Sequence, residues 1–149
     1  MYIGLDNSSR NSEVIHSGIY YSKHSLKSKL CIQGKHMLYN YINKYNIPYH
    51  NCGKLIISTS NHENNELLKI YQNGISNGLN NELKLLTKED IKVLEPSISC
   101  LNGILCSSTS ILNSHLLMLQ YIHDIESNQS SIVYNCEVLK VSQTTANTW

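Results

Sequence analysis

The residues of this chain best suited to chemistry crowd into one stretch near its start: Ser8, Ser9, Arg10, Asn11, Ser12, Glu13, His16 and Ser17, then Gly18, Tyr20 and Tyr21. Many hydrogen-bond donors, one guanidinium that stays charged and one imidazole, all on a glycine-bearing loop, are what anion or cofactor binding needs. The same composition also describes an ordinary polar loop. Other chemistries lack their residues. No GxGxxG or GxxxxGK[ST] occurs, so no glycine turn lets the backbone approach a pyrophosphate at a helix N-terminus, and no nucleotide site is complete. No HExxH is present and the seven histidines are scattered, which argues against a metal centre. No GxSxG elbow supports a Ser/His/Asp hydrolase.

The elements that must position this stretch follow from periodicity. Residues 7–12 read as loop, and Val14, Ile15 and Ile19 then bracket a glycine. Over residues 25 to about 45, Leu26, Leu30, Met37, Leu38, Tyr41 and Ile42 recur at helical spacing behind Ser25, whose hydroxyl can cap the first amides. This predicts an amphipathic helix that stops before Pro48, because proline disfavours the helical conformation in the residue before it. Residues 53–59 (GKLIIST) predict a strand, and about 63–74 a second helix carrying Leu67, Leu68, Ile70 and Tyr71. Asn77, Gly78, Asn80 and Asn81 punctuate its end. A strand over 83–86 is followed by Thr87 with Asp90 three positions on, the pattern that opens a short helix, which Glu95 and Pro96 close. Residues 103–106 read as extended, 114–127 as a third long helix with Leu116, Leu117, Leu119, Ile122 and Ile125, and 132–141 as a last pair of strand segments. Alternating helices and strands make the chain α/β or α+β. No repeat or low-complexity linker divides it.

Composition narrows the classes. At 149 residues, 41% hydrophobic and 15% charged, the chain is long enough for one core and too apolar for a disordered tail. A net charge of +1 with interspersed signs offers no face for neutralising phosphates, so nucleic acid is excluded as a partner. No run reaches the 18 to 20 apolar residues that span a bilayer, nor does the start resemble a signal peptide. The expected compartment is cytoplasmic, free or peripheral to a membrane. Cys31, Cys52, Cys100, Cys106 and Cys136 are odd in number and lack CxxC spacing, which predicts reduced, mostly buried thiols.

The run SSRNSEVIHSGIYY over residues 8–21, continuing through Ser25-Leu26-Lys27 and Lys29-Leu30-Cys31-Ile32-Gln33-Gly34, resembles the signature of the L-2-hydroxyglutarate oxidase or dehydrogenase group. That group belongs to the flavoprotein superfamily of D-amino-acid oxidase and glycine oxidase. Similar pieces follow in register: Ile47-Pro48-Tyr49, Cys52-Gly53-Lys54-Leu55-Ile56, Leu94-Glu95-Pro96, Gly103-Ile104-Leu105 ahead of Ser107-Ser108-Thr109, and Ser114-His115. The resemblance runs from about residue 8 to 141. The chain departs from the pattern at Ser22 and His24, where Pro and Gly are usual, at Ser110 for Gly, at Asn113 for Asp, and at Ser17, where Ala is commoner. The family's glycine turn, with its ribose-binding acid, would fall before Met1, and its second half beyond Trp149.

The resemblance implies a fold: α/β, with α+β character in the substrate part, a fragment of an FAD-binding fold with a mixed sheet and without the N-terminal βαβ dinucleotide unit. It would form one partial domain, with flavin portions at about 1–49 and 114–149 and a substrate portion at about 50–113. It also implies FAD as cofactor, with Ser8, Ser9, Arg10, Asn11 and Ser12 running alongside it and Val138 on a strand near the adenine. The reaction implied is hydride transfer from C2 of a small 2-hydroxy acid to the flavin, with His16 as the base for the hydroxyl proton. Tyr20, Tyr21 and Lys54 would face substrate. Each has a plainer reading: His16 as a structural histidine, at least one tyrosine as packing, Lys54 as a solvated lysine. Three functions follow. The chain is a fragment of such an enzyme that works with a complementary polypeptide, a non-enzymatic remnant of a split gene, or a small binding module.

Overall fold

In the computed structural model, which describes residues 3–143, Ser25 Oγ accepts the Ser28 amide and opens α1, Leu26–Lys44. The helix stops where Asn46 turns left-handed at φ 53°. The Ile47 amide then donates to the Ile42 carbonyl at 2.9 Å and the Asn46 amide to the Asn43 carbonyl at 3.4 Å, the paired bonds of a Schellman stop. Pro48 follows this stop and does not make it. Ile42 and Ile47, brought together by the turn, join Ile15 and Leu112 in a small core.

Three short strands border that core. β1 (Val14–Ile15) and β2 (Tyr49–His50) both pair antiparallel with β6 (Ser110–Leu112), in the order β1-β6-β2. A second antiparallel sheet is longer. β3 (Lys54–Ser58) and β4 (Leu83–Thr87) flank β5 (Asn102–Cys106), with Ile56 opposite Ile104 and Leu83 opposite Cys106. On one face, α2 (Asn61–Ser76, capped by Ser60) covers it through Leu67, with Ile19, Leu79, Leu83, Ile104 and Cys106 completing the main core. On the other, α3 (Lys88–Leu94) sets Ile91 against Leu86 and Cys100. The Thr87 and Asp90 capping box that opens α3 is present in both directions. Ile91 and Ile104, each 0% exposed, contribute about 1.5–3 kcal/mol apiece by leaving water.

α4, Ser114–Ser127, begins where Asn113 Oδ1 accepts the Leu116 amide and Glu13 accepts both the amide and hydroxyl of Ser114. These bonds hold the Glu13 carboxyl below its usual range. By its contacts the chain divides into two compact units, Met1–Met118 and Leu119–Trp149, with both sheets and all three cores in the first. Among the described residues no helix is long and apolar enough to cross a membrane, and no group of histidine, cysteine and carboxylate side chains could hold a metal ion.

Three expectations need correction. Residues 132–141 form no strand: an edge needs a ladder partner, none pairs with them among the described residues, and Val133, Val138 and Leu139 stay exposed. The thiols are not mostly buried, since only Cys100 and Cys106 are, while Cys31 is intermediate and Cys52 and Cys136 are exposed; all five are free. Leu26, Leu30 and Met37 do not line a core on α1 but are 56–71% exposed. The inner face of α1 buries Ser28, Lys35 and Ile42, with Leu38 and Tyr41 packed beside Ile42 as the periodicity predicts. β2 and β6, of two and three residues, are too short for periodicity to reveal.

Candidate functional site

After β1 the chain turns through Gly18, held at φ 89°, a left-handed conformation that glycine adopts without strain. The turn is closed by the Tyr21 amide on the Gly18 carbonyl at 3.3 Å. Ile19 is its anchor, 1% exposed in the main core. With Ile19 fixed, His16, Tyr20 and Tyr21 line one recess, and Lys54 at the start of β3 forms its other side. The Lys54 ammonium lies 5.3 Å from the centre of the Tyr20 ring, and Lys27 of α1 lies 4.6 Å from that of Tyr21, both within cation–π range. The recess holds ≈ 10 Å³, space for about one water.

Lys54 and Lys27 are the lysines placed beside the rings of this turn, and the sequence carries no carboxylate between Glu13 and Glu63. Burial, and then the charge on Lys54, hold the His16 imidazole below its ordinary value, so at neutral pH it is uncharged and able to accept a proton. Burial pushes the Tyr20 phenol up, so it stays a neutral hydrogen-bonding group. Ser17 Oγ, buried beside His16, has no hydrogen-bond partner among the described residues.

Ser8, Ser9, Arg10, Asn11 and Ser12 do not line the recess. They form an exposed loop opened by a 3-10 turn at Asn7–Ser9. Its shape comes from local bonds: Ser9 Oγ to the Asp6 carbonyl at 3.0 Å, the Asn11 amide to the Ser8 carbonyl, and the Glu13 amide to Asn11 Oδ1 at 2.6 Å. Arg10 meets Asp6 at 3.7 Å with both side chains more than three-quarters exposed. Such a pair is worth about 0–1 kcal/mol, so the guanidinium can exchange it for another anion. A guanidinium and serine hydroxyls on an exposed loop are the donor set that a pyrophosphate takes. Val138 lies in the second unit, on irregular chain.

Sequence reasoning passed over two groups. Asn73 and Asn77, near the end of α2, direct their side-chain amides at the recess turn; the punctuation noted at Asn77 was its only signal. Lys35 is 1% exposed and paired with Glu82, which also takes the Ser108 hydroxyl. Burial alone would raise the Glu82 carboxyl, but its bonds to Lys35 and Ser108 outweigh that and hold it low. Beside this pair, Tyr39 OH lies 2.5 Å from Ser110 Oγ, which donates to Asn51 Oδ1 at 3.1 Å. A lysine inside an α1 read as amphipathic gives no pattern that marks it as buried.

The family model described as DAO, FAD dependent oxidoreductase, matches residues 2–149. The chain is 40% identical over 136 residues to the mitochondrial L-2-hydroxyglutarate dehydrogenase of Mus musculus, covering 91% of this chain and 29% of that protein. It is 42% identical over 124 residues to the Dictyostelium discoideum enzyme of the same name, covering 83% of this chain and 28% of that one. Among solved structures, dithionite-reduced L-alpha-glycerophosphate oxidase from Mycoplasma pneumoniae with FAD bound superposes with a TM-score of 0.85 at 27% identity, over 97% of this chain and 39% of that one. The chain therefore spans about three-tenths of the length of the dehydrogenases it matches.

Proposed function

Because this chain belongs to the FAD-dependent oxidoreductase family, we propose that it supplies the substrate-facing wall of a flavoenzyme oxidising an L-2-hydroxy acid, with L-2-hydroxyglutarate the first candidate. The observation that carries this reading is the convergence of His16, Tyr20, Tyr21 and Lys54 on one recess. FAD, when bound, supplies the two-electron acceptor. Ser8, Ser9, Arg10, Asn11 and Ser12 would hold its pyrophosphate side. His16, neutral at working pH, takes the hydroxyl proton of the substrate. Lys54 holds a substrate carboxylate as a point charge, and Tyr20 bounds the recess and lends a phenolic hydrogen bond.

Room for about one water cannot enclose a hydroxy acid, so the opposite wall comes from the rest of the fold, on this polypeptide or a complementary one. The exposed Leu26, Leu30 and Met37 stripe of α1 is the surface on which that remainder would pack. We assign the flavin side to about 1–49 and 114–149 and the substrate side to about 50–113, a division supported by the confinement of the β3-β5-β4 sheet to residues 54–106. The compartment proposed is cytoplasmic, at a membrane surface or free of it.

The test is a chimera in which this chain replaces the matching segment of the mouse dehydrogenase. With FAD bound, Lys54→Met is expected to weaken L-2-hydroxyglutarate binding at least tenfold, read by the change in flavin absorbance on titration. Equal affinity in the variant removes Lys54 and, with it, this reading of the recess.

A further inference from the structure

We propose that Asn73 and Asn77 are positioning residues for the recess: their two side-chain amides clamp the turn that carries His16, Tyr20 and Tyr21. The inference rests on the recess being the substrate wall. Asn73 Nδ2 donates to the carbonyls of Ile19 at 2.7 Å and Tyr21 at 3.0 Å. Asn77 Nδ2 donates to the carbonyls of Tyr21 at 2.7 Å and Gly18 at 3.4 Å. Each amide nitrogen has two hydrogens to give, and the four contacts match the four hydrogens. The orientation is fixed by chemistry, since only the nitrogen end of an asparagine can face a carbonyl.

Spacing four apart puts the two side chains on one face of α2, one turn from each other. Between them stands Gly74. A Cβ there would lie 2.4 Å from Leu83 Cδ1 and 3.0 Å from Ile19 Cγ1, so the absence of a side chain lets α2 come close enough for both amides to reach the turn. The other flank is tied by Cys31, whose thiol donates to the His16 carbonyl at 3.5 Å. The carbonyls of Gly18, Ile19 and Tyr21 are thus held on the α2 side. Tyr20, whose side chain is left out of this clamp, is turned toward Lys54.

A clamp that only adds stability and a clamp that sets the site differ in one observable. Proton NMR titration of His16 in the full chain reads its surroundings, and amide exchange over residues 17–22 reads the turn; neither needs flavin or substrate. Asn73→Ala/Asn77→Ala is expected to move the His16 titration up toward that of a free imidazole as the turn leaves Lys54. Exchange over 17–22 is expected to rise at least tenfold while that of β5 holds. Asn77→Ala alone, which leaves the main core untouched, is expected to give a smaller shift in the same direction. Ile91→Val, in the separate core on the other face of the β3-β5-β4 sheet, weakens the fold without touching the amides or the core of Ile19 and is expected to leave His16 where it was. An unchanged His16 titration in both asparagine variants, or an equal shift in Ile91→Val, overturns the proposal. A wrong reading of the recess shows itself separately, as an unchanged Lys54→Met affinity with the clamp result intact.

Discussion

α1 and α2 are neighbours in sequence and similar in length, 19 and 16 residues, yet they differ in how much of their apolar surface this chain covers. α2 spends its own on the chain it belongs to, burying Leu67 and packing Ile70, Tyr71 and Ile75 against the β3-β5-β4 sheet. α1 packs Ile32, Leu38, Tyr39, Tyr41 and Ile42 against the cores and buries Ser28 and Lys35, but presents Leu26, Leu30 and Met37 outward. The contrast locates the apolar surface of the two helices that the described residues leave most exposed. The β3-β5-β4 sheet has its covering helices here, whereas nothing among the described residues covers the outer stripe of α1.

The largest break of this contrast is expected at the polar inner face of α1. Glu82→Ala leaves Lys35 buried and unpaired and should cost about 3–5 kcal/mol, read by urea unfolding of the full chain. The acid limb adds a sign. The Glu82 carboxyl is held low in the folded state, so its contribution is complete above its unfolded value of about 4.3 and fades as pH falls through the lower folded value. The advantage of the wild type over Glu82→Gln should therefore shrink on acidification below about pH 4.

The apolar halves of the comparison come next. Leu67→Ala should cost about 2–5 kcal/mol, whereas Met37→Ala should fall within about 0.5 kcal/mol in this chain. The chimera should reverse the second value, since Met37 would there be covered; a loss under 0.5 kcal/mol in both settings breaks the contrast.

The smaller effects sharpen it by raising stability. Ser17→Ala removes a buried hydroxyl without a partner and should gain about 1 kcal/mol. His24, at φ 65° just before α1, occupies a conformation that costs an L-residue about 1–2 kcal/mol, and His24→Gly should recover about 0.5–1 kcal/mol after glycine's extra unfolded freedom is counted. Both substitutions move toward residues common in the resembling family. Thermal melts of the two variants check the sign.

What was legible in the sequence follows the same division. Caps are local chemistry, so Ser25, Thr87 with Asp90, and the 114–127 helix read correctly from neighbours alone. The sheet strands of 54–58, 83–87 and 102–106 also show, because their apolar side chains find partners inside the chain. Periodicity found α1, whose Leu38, Tyr41 and Ile42 pack as read, but not that Leu26, Leu30 and Met37 stay exposed or that 132–141 forms no strand, because it reports which residues are apolar, not whether any described residue covers them. His16, Tyr20, Tyr21 and Lys54 were each named, but their convergence depends on Ile19 anchoring the turn against β5. The asparagine clamp was invisible, since side-chain amides reaching more than 50 residues back leave no local pattern.

The central claim is that the recess is the reacting wall and His16 its base. Its most direct test is anaerobic reduction of FAD by L-2-hydroxyglutarate in the chimera, followed by stopped-flow with and without His16→Ala, flavin content held equal. The rate should fall by roughly 10²–10⁴ when the base is removed; a flavin reduced equally fast in the variant would contradict it.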